Sequence, residues 1–232
     1  MTHPVHAFAR RALWALPVWA ALLFLGTLTH QPDPQTDFAG FAAYVTTNRF
    51  LLSHLVASIA GAAIGSLGVI GLMLYLHDSK VAGRALTGMV ATVAGNTLTS
   101  SIFGVAAFAQ PAMGRMFLAG QPNALDFYNQ VYAGPLFGTA LVALLLFIAG
   151  GVFIGIAIAA CGRLPRWTGW VYAVTTAGFV LSNFLLPVGQ SVMSALLFVA
   201  TLAIAWSAGR EDHTPDDKAA ISSPKGSNSC VA

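Results

Sequence analysis

The chain has 232 residues, of which 56% are hydrophobic and only 8% charged, and its formal net charge is +3. A soluble domain carries roughly 25% charged residues, and so few charges cannot cover a water-facing surface. Basic residues scattered at the ends of apolar blocks exclude a nucleic-acid patch, while blocks of about 20 apolar residues are long enough for helices that cross a hydrocarbon core.

In chain order, the first block runs from Ala12 to Leu28. Its lead-in, "ARRALWALPVWAALLFLGTLTH", has the basic start and apolar stretch of a signal peptide. No small-x-small cleavage site follows, so a retained helix bent at Pro17 is expected. The Arg10-Arg11 pair lacks the flanking context of a twin-arginine signal.

Next comes "QPDPQTDF", Gln31 to Phe38. Gln-Pro fixes an extended backbone, and Asp37 is placed to cap a short helix by accepting an exposed N–H. Phe38, Phe41, Ala42 and Val45 then fall at i, i+3, i+4 and i+7, a stripe suited to a membrane interface. The second span, Phe50 to Leu76, carries small residues at Ala57, Gly61, Gly65 and Gly68, which let backbones approach closely.

The third span, Leu86 to Ala109, is followed by "QPNALDF", Gln121 to Phe127, which repeats the earlier segment with Asn123 and Asp126 as its expected caps. Ala124, Phe127, Tyr128 and Val131 take the stripe spacing. The fourth span is Pro135 to Ala160, with Gly151 and Gly155 four apart. The fifth is Thr168 to Leu186, ended by Pro187, and the sixth is Ser191 to Ser207. Residues 209–232 are polar and are expected to form a disordered cytoplasmic tail.

With the N-terminus inside, one face holds Arg10, Arg11, Lys80, Arg84, Arg163, Arg166, Arg210, Lys218 and Lys225, and the other holds only Arg49 and Arg115. Such a bias predicts cytoplasmic termini in a cell (inner or plasma) membrane. Cys161 and Cys230 then lie on the reducing side, so neither a disulfide nor a Cys metal site is expected. The spans show no period-two alternation, which favours helices over a barrel.

The two quoted stretches share Asp-Phe followed by Tyr: Asp37, Phe38 and Tyr44, then Asp126, Phe127 and Tyr132. A second echo follows, "TGMVATV" from Thr87 and "TGWVYAV" from Thr168. Order and position agree, as a parallel duplication of 31–109 in 121–187 would require. Chance identity among the few residue types of membrane helices is the rival explanation. The expected fold is thus all-α, a bundle of six transmembrane helices over residues 1–208 with two short outer interfacial helices, serving either as lids or as surface anchors.

No Asp, Glu, Lys or Arg falls within an expected hydrocarbon core, which removes the buried carboxylates of ion-coupled pumps and the buried Lys of a retinal protein. There is no HExxH, and the only Glu is Glu211. "GSLG" at Gly65 to Gly68 lacks a matched base and reads as packing glycine. Catalysis is not the leading expectation.

The remaining polar residues gather toward the outer side. They are His54, the stripe Thr92, Asn96, Thr99 and Ser100 with Ser101 beside it, Asn183 near the end of the fifth span, and Gln190 before the sixth. Of these, His54, Asn96, Thr99, Ser100, Asn183 and Gln190 are the expected lining of an uncharged, outward-facing ligand pocket. The plainer reading is helix-to-helix bonding, at roughly 0.6 kcal/mol per bond.

Haem is a weaker alternative, and no cofactor or metal is predicted. His54 and His77 lie about 35 Å apart along one helix and cannot share an iron. Each would need a second ligand, His30 for His54 and His6 for His77, while Asp33 and Asp37 already have capping uses. Three functions follow as expectations. The first is binding or passage of a small neutral or lipid-like molecule, the second an accessory subunit whose glycine faces meet a membrane partner or another copy, and the third a haem- or quinone-linked oxidoreductase.

Overall fold

The computed structural model describes residues 3–185 and 188–210, and their regular structure is entirely helical. The expected tail from 211 onward, Cys230 and Pro187 lie outside the described residues.

Helices α1 (His3–Leu13) and α2 (Ala15–Thr27) form one stretch interrupted at Trp14. Pro17 has no N–H to offer the Leu13 carbonyl. The chain therefore breaks one turn before the proline, where the Trp14 N–H donates to the Arg11 carbonyl at 3.2 Å.

The segment "QPDPQTDF" folds as expected of its turn chemistry. The Asp33 carboxylate accepts from the Gln35 N–H at 2.9 Å, and the Asp37 carboxylate caps α3 (Phe38–Val45) by accepting from the Gly40 N–H at 2.8 Å. The apolar stripe of α3 is not spread on an interface. Phe41, Ala42 and Val45 are buried against protein, and Gly114 admits Val45 and the Ala42 carbonyl where a Cβ would collide.

Thr47 caps α4 (Asn48–Leu52), which passes into a π-helical segment (Ser53–Ala60) and then α5 (Gly61–Leu76), together 29 residues. Helix α6 (Ala82–Leu118) has 37 residues and so is roughly 55 Å long. It runs through Pro111 and well past the expected end at Ala109. What stops it is Gly120, whose φ of 78° suits a residue without Cβ. The Gly120 N–H donates to the Phe117 carbonyl and the Gln121 N–H to that of Met116, a paired closure of the helix end.

Helix α7 (Ala124–Tyr132) is the second short helix, followed by α8 (Pro135–Ala160), α9 (Arg166–Leu185) and α10 (Gly189–Arg210). Five helical stretches among the described residues are long and apolar enough to cross a membrane: Pro4–Thr27, Asn48–Leu76, Ala82–Leu118, Pro135–Ala160 and Gly189–Arg210. Helix α9 is long enough but more polar, with Thr168, Thr175, Thr176 and Ser182 along it.

The long helices pack in a ring that follows chain order: α2 on α5, α5 on α6, α6 on α8, α8 on α9, α9 on α10, and α10 back on α2. At one end the Arg163 guanidinium donates to the Tyr75 carbonyl at 3.3 Å, and the His6 ring meets the His77 ring at 6.1 Å. This basic end gathers the α1, α5–α6 and α8–α9 segments, while α3 and α7 cover the opposite, capped end.

The main hydrophobic cluster fills the basic half. Leu13, Leu16 and Trp19 meet Leu72 and Leu76 from α5, Ile154 and Ile158 from α8, and Tyr172 from α9. Small residues make this closeness possible. A Cβ on Gly65 would strike Trp19, and Gly155 and Gly169 face each other so tightly that a Cβ on either would meet backbone at 2.5 or 2.4 Å. A second, separate cluster of Phe41, Val45 and Phe50 lies under the cap, with Phe38, Tyr44 and Tyr128 against it.

Candidate functional site

Between these clusters the character of the buried positions changes. Many are small or polar, among them Ala57, Ala62, Thr92, Asn96, Ala143 and Ser194. The helices around them lose their fully buried faces. Residues 21–27 of α2, 97–105 of α6 and 135–142 of α8 are each half-buried or exposed, whereas the basic halves of the same helices alternate with fully buried side chains. Full burial is thus commoner along the basic halves of these helices than along these stretches.

The polar side chains of this waist are mostly satisfied within their own helices. Ser66, Thr175, Thr176, Ser182 and Ser194 each donate to a carbonyl three or four residues back, which leaves the hydroxyl lone pairs as acceptors. Two contacts cross between helices. The Asn96 amide donates to the Ala62 carbonyl at 3.2 Å and to the Ser66 hydroxyl at 3.1 Å, joining α6 to α5. The Ser191 hydroxyl donates to that of Thr27 at 2.8 Å, joining α10 to α2.

His54 lies in the π segment. Where the ladder slips from i+4 to i+5 partners, the Phe50 carbonyl accepts from the Ser53 hydroxyl at 2.9 Å and from His54 Nδ1 at 3.0 Å. A carbonyl can only accept, so the proton sits on Nδ1. The imidazole also stacks on Phe50 at 4.1 Å and meets the edge of Phe103 from α6 at 5.7 Å.

The Asn96 and Phe103 contacts fix the register of α6 against this helix, with half-buried Thr99 and Ser100 between them. Those four residues therefore share one stretch of the α6 contact with the π segment. Gln190, half-buried on α10, is on a helix that packs against α2 and α9. The Asn183 side chain lies outside the described residues.

Of the expected caps, Asp37 accepts from its helix. Asn123 holds the N-cap position of α7 without a side-chain bond to it, and Asp126 sits exposed in the first turn of α7.

The cap itself is knitted by Gln31, Gln35, Gln110 and Asn129 together with the tyrosines of α7. Buried Gln110 accepts from the Gln31 amide at 3.3 Å and donates to the Tyr132 phenol at 2.7 Å, while Gln35 donates to Asn129 at 2.7 Å. Tyr128 stacks on Tyr132 at 4.5 Å and meets Phe41 edge-on at 5.3 Å, so α3 and α7 touch directly. Burial pushes the Tyr132 phenol up to about 12 despite the opposing bond from Gln110, and burial with the nearby Asp33 charge raises Tyr128. Both phenols stay neutral and can donate. A glutamine beside Pro111 was the available signal, but it read as the end of a span.

An open groove of about 250 Å³ runs between α2 and the π segment. Leu22 and Leu25 form one wall and Leu52, Ser53, Val56 and Ala57 the other, with Arg49 at the capped end. Across from Ala57, Gly26 carries no side chain, and a Cβ there would lie in ordinary contact with the Ala57 methyl at 3.4 Å.

His77 uses Nδ1 on the Leu74 carbonyl and Nε2 on Asp78, and no group of three His, Cys, Asp or Glu converges among the described residues. No protein-family model matches the chain, and it matches neither a curated protein nor a solved structure.

Proposed function

We propose that this is a non-catalytic membrane protein whose loosely packed capped half receives a small neutral or lipid-like molecule, held at the uncharged surface of α6 and α10 beneath the α3–α7 cap. One observation carries the reading. Between two well-formed hydrophobic clusters lie the buried small and polar residues Ala57, Ala62, Asn96 and Ser194, and nearby stretches of α2, α6 and α8 carry no fully buried side chain. Thr99, Ser100 and Gln190 supply its hydrogen-bonding groups, Asn96 the fixed floor, and His54 holds the adjoining wall in shape.

The topology that goes with this has six spans, α9 included, with both termini at the cytoplasmic face of a cell membrane and α3 and α7 outside. Support for counting α9 comes from its place in the ring between α8 and α10. The proposed parallel duplication, 31–109 with 121–187, draws support from the way each copy opens on a short helix that touches the other.

An accessory-subunit role is less favoured, because the glycines that would have faced a partner are occupied inside the chain: Gly65 by Trp19, Gly68 by Leu16 and Gly151 by Thr176. Native mass spectrometry of the gently solubilised chain, with an absorption spectrum of the same sample, tests the proposal. A reproducible bound molecule, lost in Thr99→Leu and Ser100→Leu, is expected. A bare, colourless chain, or a bound molecule indifferent to both variants, contradicts it, and a visible band would favour the oxidoreductase.

A further inference from the structure

We propose that the groove between α2 and the π segment seats one acyl chain of an anionic phospholipid whose phosphate is held by Arg49. This rests on the reading of the capped half as a ligand-receiving region and names the chemical class at its lateral opening.

The groove has two chemically distinct parts. Leu22, Leu25, Leu52 and Val56 make apolar walls, and the one hydroxyl in it, Ser53, already donates to the Phe50 carbonyl. Such walls suit a hydrocarbon chain and offer nothing to a peptide backbone, which needs its N–H and C=O groups satisfied. Arg49 stands where the groove opens at the capped end. It is exposed and has no hydrogen bond or ion pair among the described residues. A guanidinium presents a planar fork of donors that matches two phosphate oxygens.

The groove follows from the backbone. Gly26 leaves room beside Ala57, and three of the groove's lining residues, Ser53, Val56 and Ala57, belong to the π segment Ser53–Ala60. Apolar walls cannot themselves choose among lipids, because bilayer tails are as apolar as leucine. Selection therefore falls to the single charge at the mouth, which is expected to favour an anionic headgroup about fivefold.

The experiment titrates the full-length detergent-solubilised chain with phosphatidylglycerol and with phosphatidylcholine of identical acyl chains, reading bound lipid by native mass spectrometry. The expected result is about a fivefold preference for phosphatidylglycerol, abolished in Arg49→Ala and unchanged in Arg115→Ala, the other basic residue of the capped end. Val56→Trp, which fills the groove, should lower binding of both lipids. Leu25→Trp does the same from the opposite wall should the first variant fold poorly.

Equal binding of the two lipids by the wild type, a preference that survives Arg49→Ala, or an equal loss in Arg115→Ala overturns the proposal. The small molecule of the earlier reading appears in the same spectra as a separate mass. Its retention without any lipid preference would overturn only the lipid assignment. A lipid preference that follows Arg49, in a chain where Thr99→Leu and Ser100→Leu leave retention unchanged, supports the lipid site and overturns only the earlier reading.

Discussion

The two halves of this bundle are built from the same helices on different terms. In the basic half, glycines bring backbones together, and Trp19 fills the middle of the ring, edge-on to Phe147 at 5.9 Å. In the capped half, stretches of the same α2, α6 and α8 carry only half-buried and exposed side chains, and two short helices joined by tyrosines and glutamines cover the end. Lipid supplies no hydrophobic force between helices, so tight packing must come from complementary surfaces. Where small residues face large ones, as Gly65 faces Trp19, the helices approach closely.

The contrast can be broken most severely at its tight end. Trp19→Ala should destabilise the chain by about 3 kcal/mol, as a cavity opens that neighbouring helices cannot fill, and equilibrium unfolding in mixed micelles would read it. Gly155→Val forces a side chain into the Gly169 carbonyl and should cost about 1–3 kcal/mol by the same measurement.

At the cap the effects are smaller and local. Asp37→Ala removes the carboxylate that caps α3 and should cost about 1 kcal/mol, visible as faster proteolysis between α2 and α3 with the core unfolding transition little changed.

The cap should also respond to alkali. Folding raises the Tyr132 phenol from an unfolded value of about 10 to about 12, so the folded state holds its proton more tightly. The resulting stability is complete below about pH 10 and is lost as pH rises through about 12. Near-ultraviolet spectra should record cap loosening over that window, and Tyr132→Phe should remove this contribution.

The smallest effect sharpens the contrast from the loose side. Thr99→Leu should change stability by no more than about 0.5 kcal/mol, since no hydrogen bond and no tight contact is lost there. An unfolding midpoint shifted as far as that of Gly155→Val would mean that the capped half is packed after all.

Much of the fold was legible because its determinants are local. Apolar runs fix where helices lie, Asp37 is a cap with its geometry written into the residues around it, and the interruption near Pro17 follows from a missing N–H. Other features depend on partners distant in sequence. The extension of α6 past Ala109 was hidden because Gln110-Pro111 resembles a stop, whereas Gln110 is buried by bonds to Gln31 and Tyr132, and the true stop is the left-handed Gly120. The stripe of α3 has the same periodicity whether it meets lipid or protein, so its burial on Gly114 could not be read from spacing.

The candidate site was legible only in composition. Asn96, Thr99 and Ser100 share one stretch of α6, and His54 meets that helix at Phe103. The π slip that turns His54 onto its own backbone carries no periodic signal, and neither does the groove beside Arg49.

Hydrogen–deuterium exchange of the full chain in lipid nanodiscs, resolved by peptide, tests the two-halves account most directly. Amides in residues 51–60 and 97–105 should exchange orders of magnitude faster than those in residues 68–76 and 152–158, because looser packing lets water and local opening reach the first pair. Equal protection of the four segments would contradict the account.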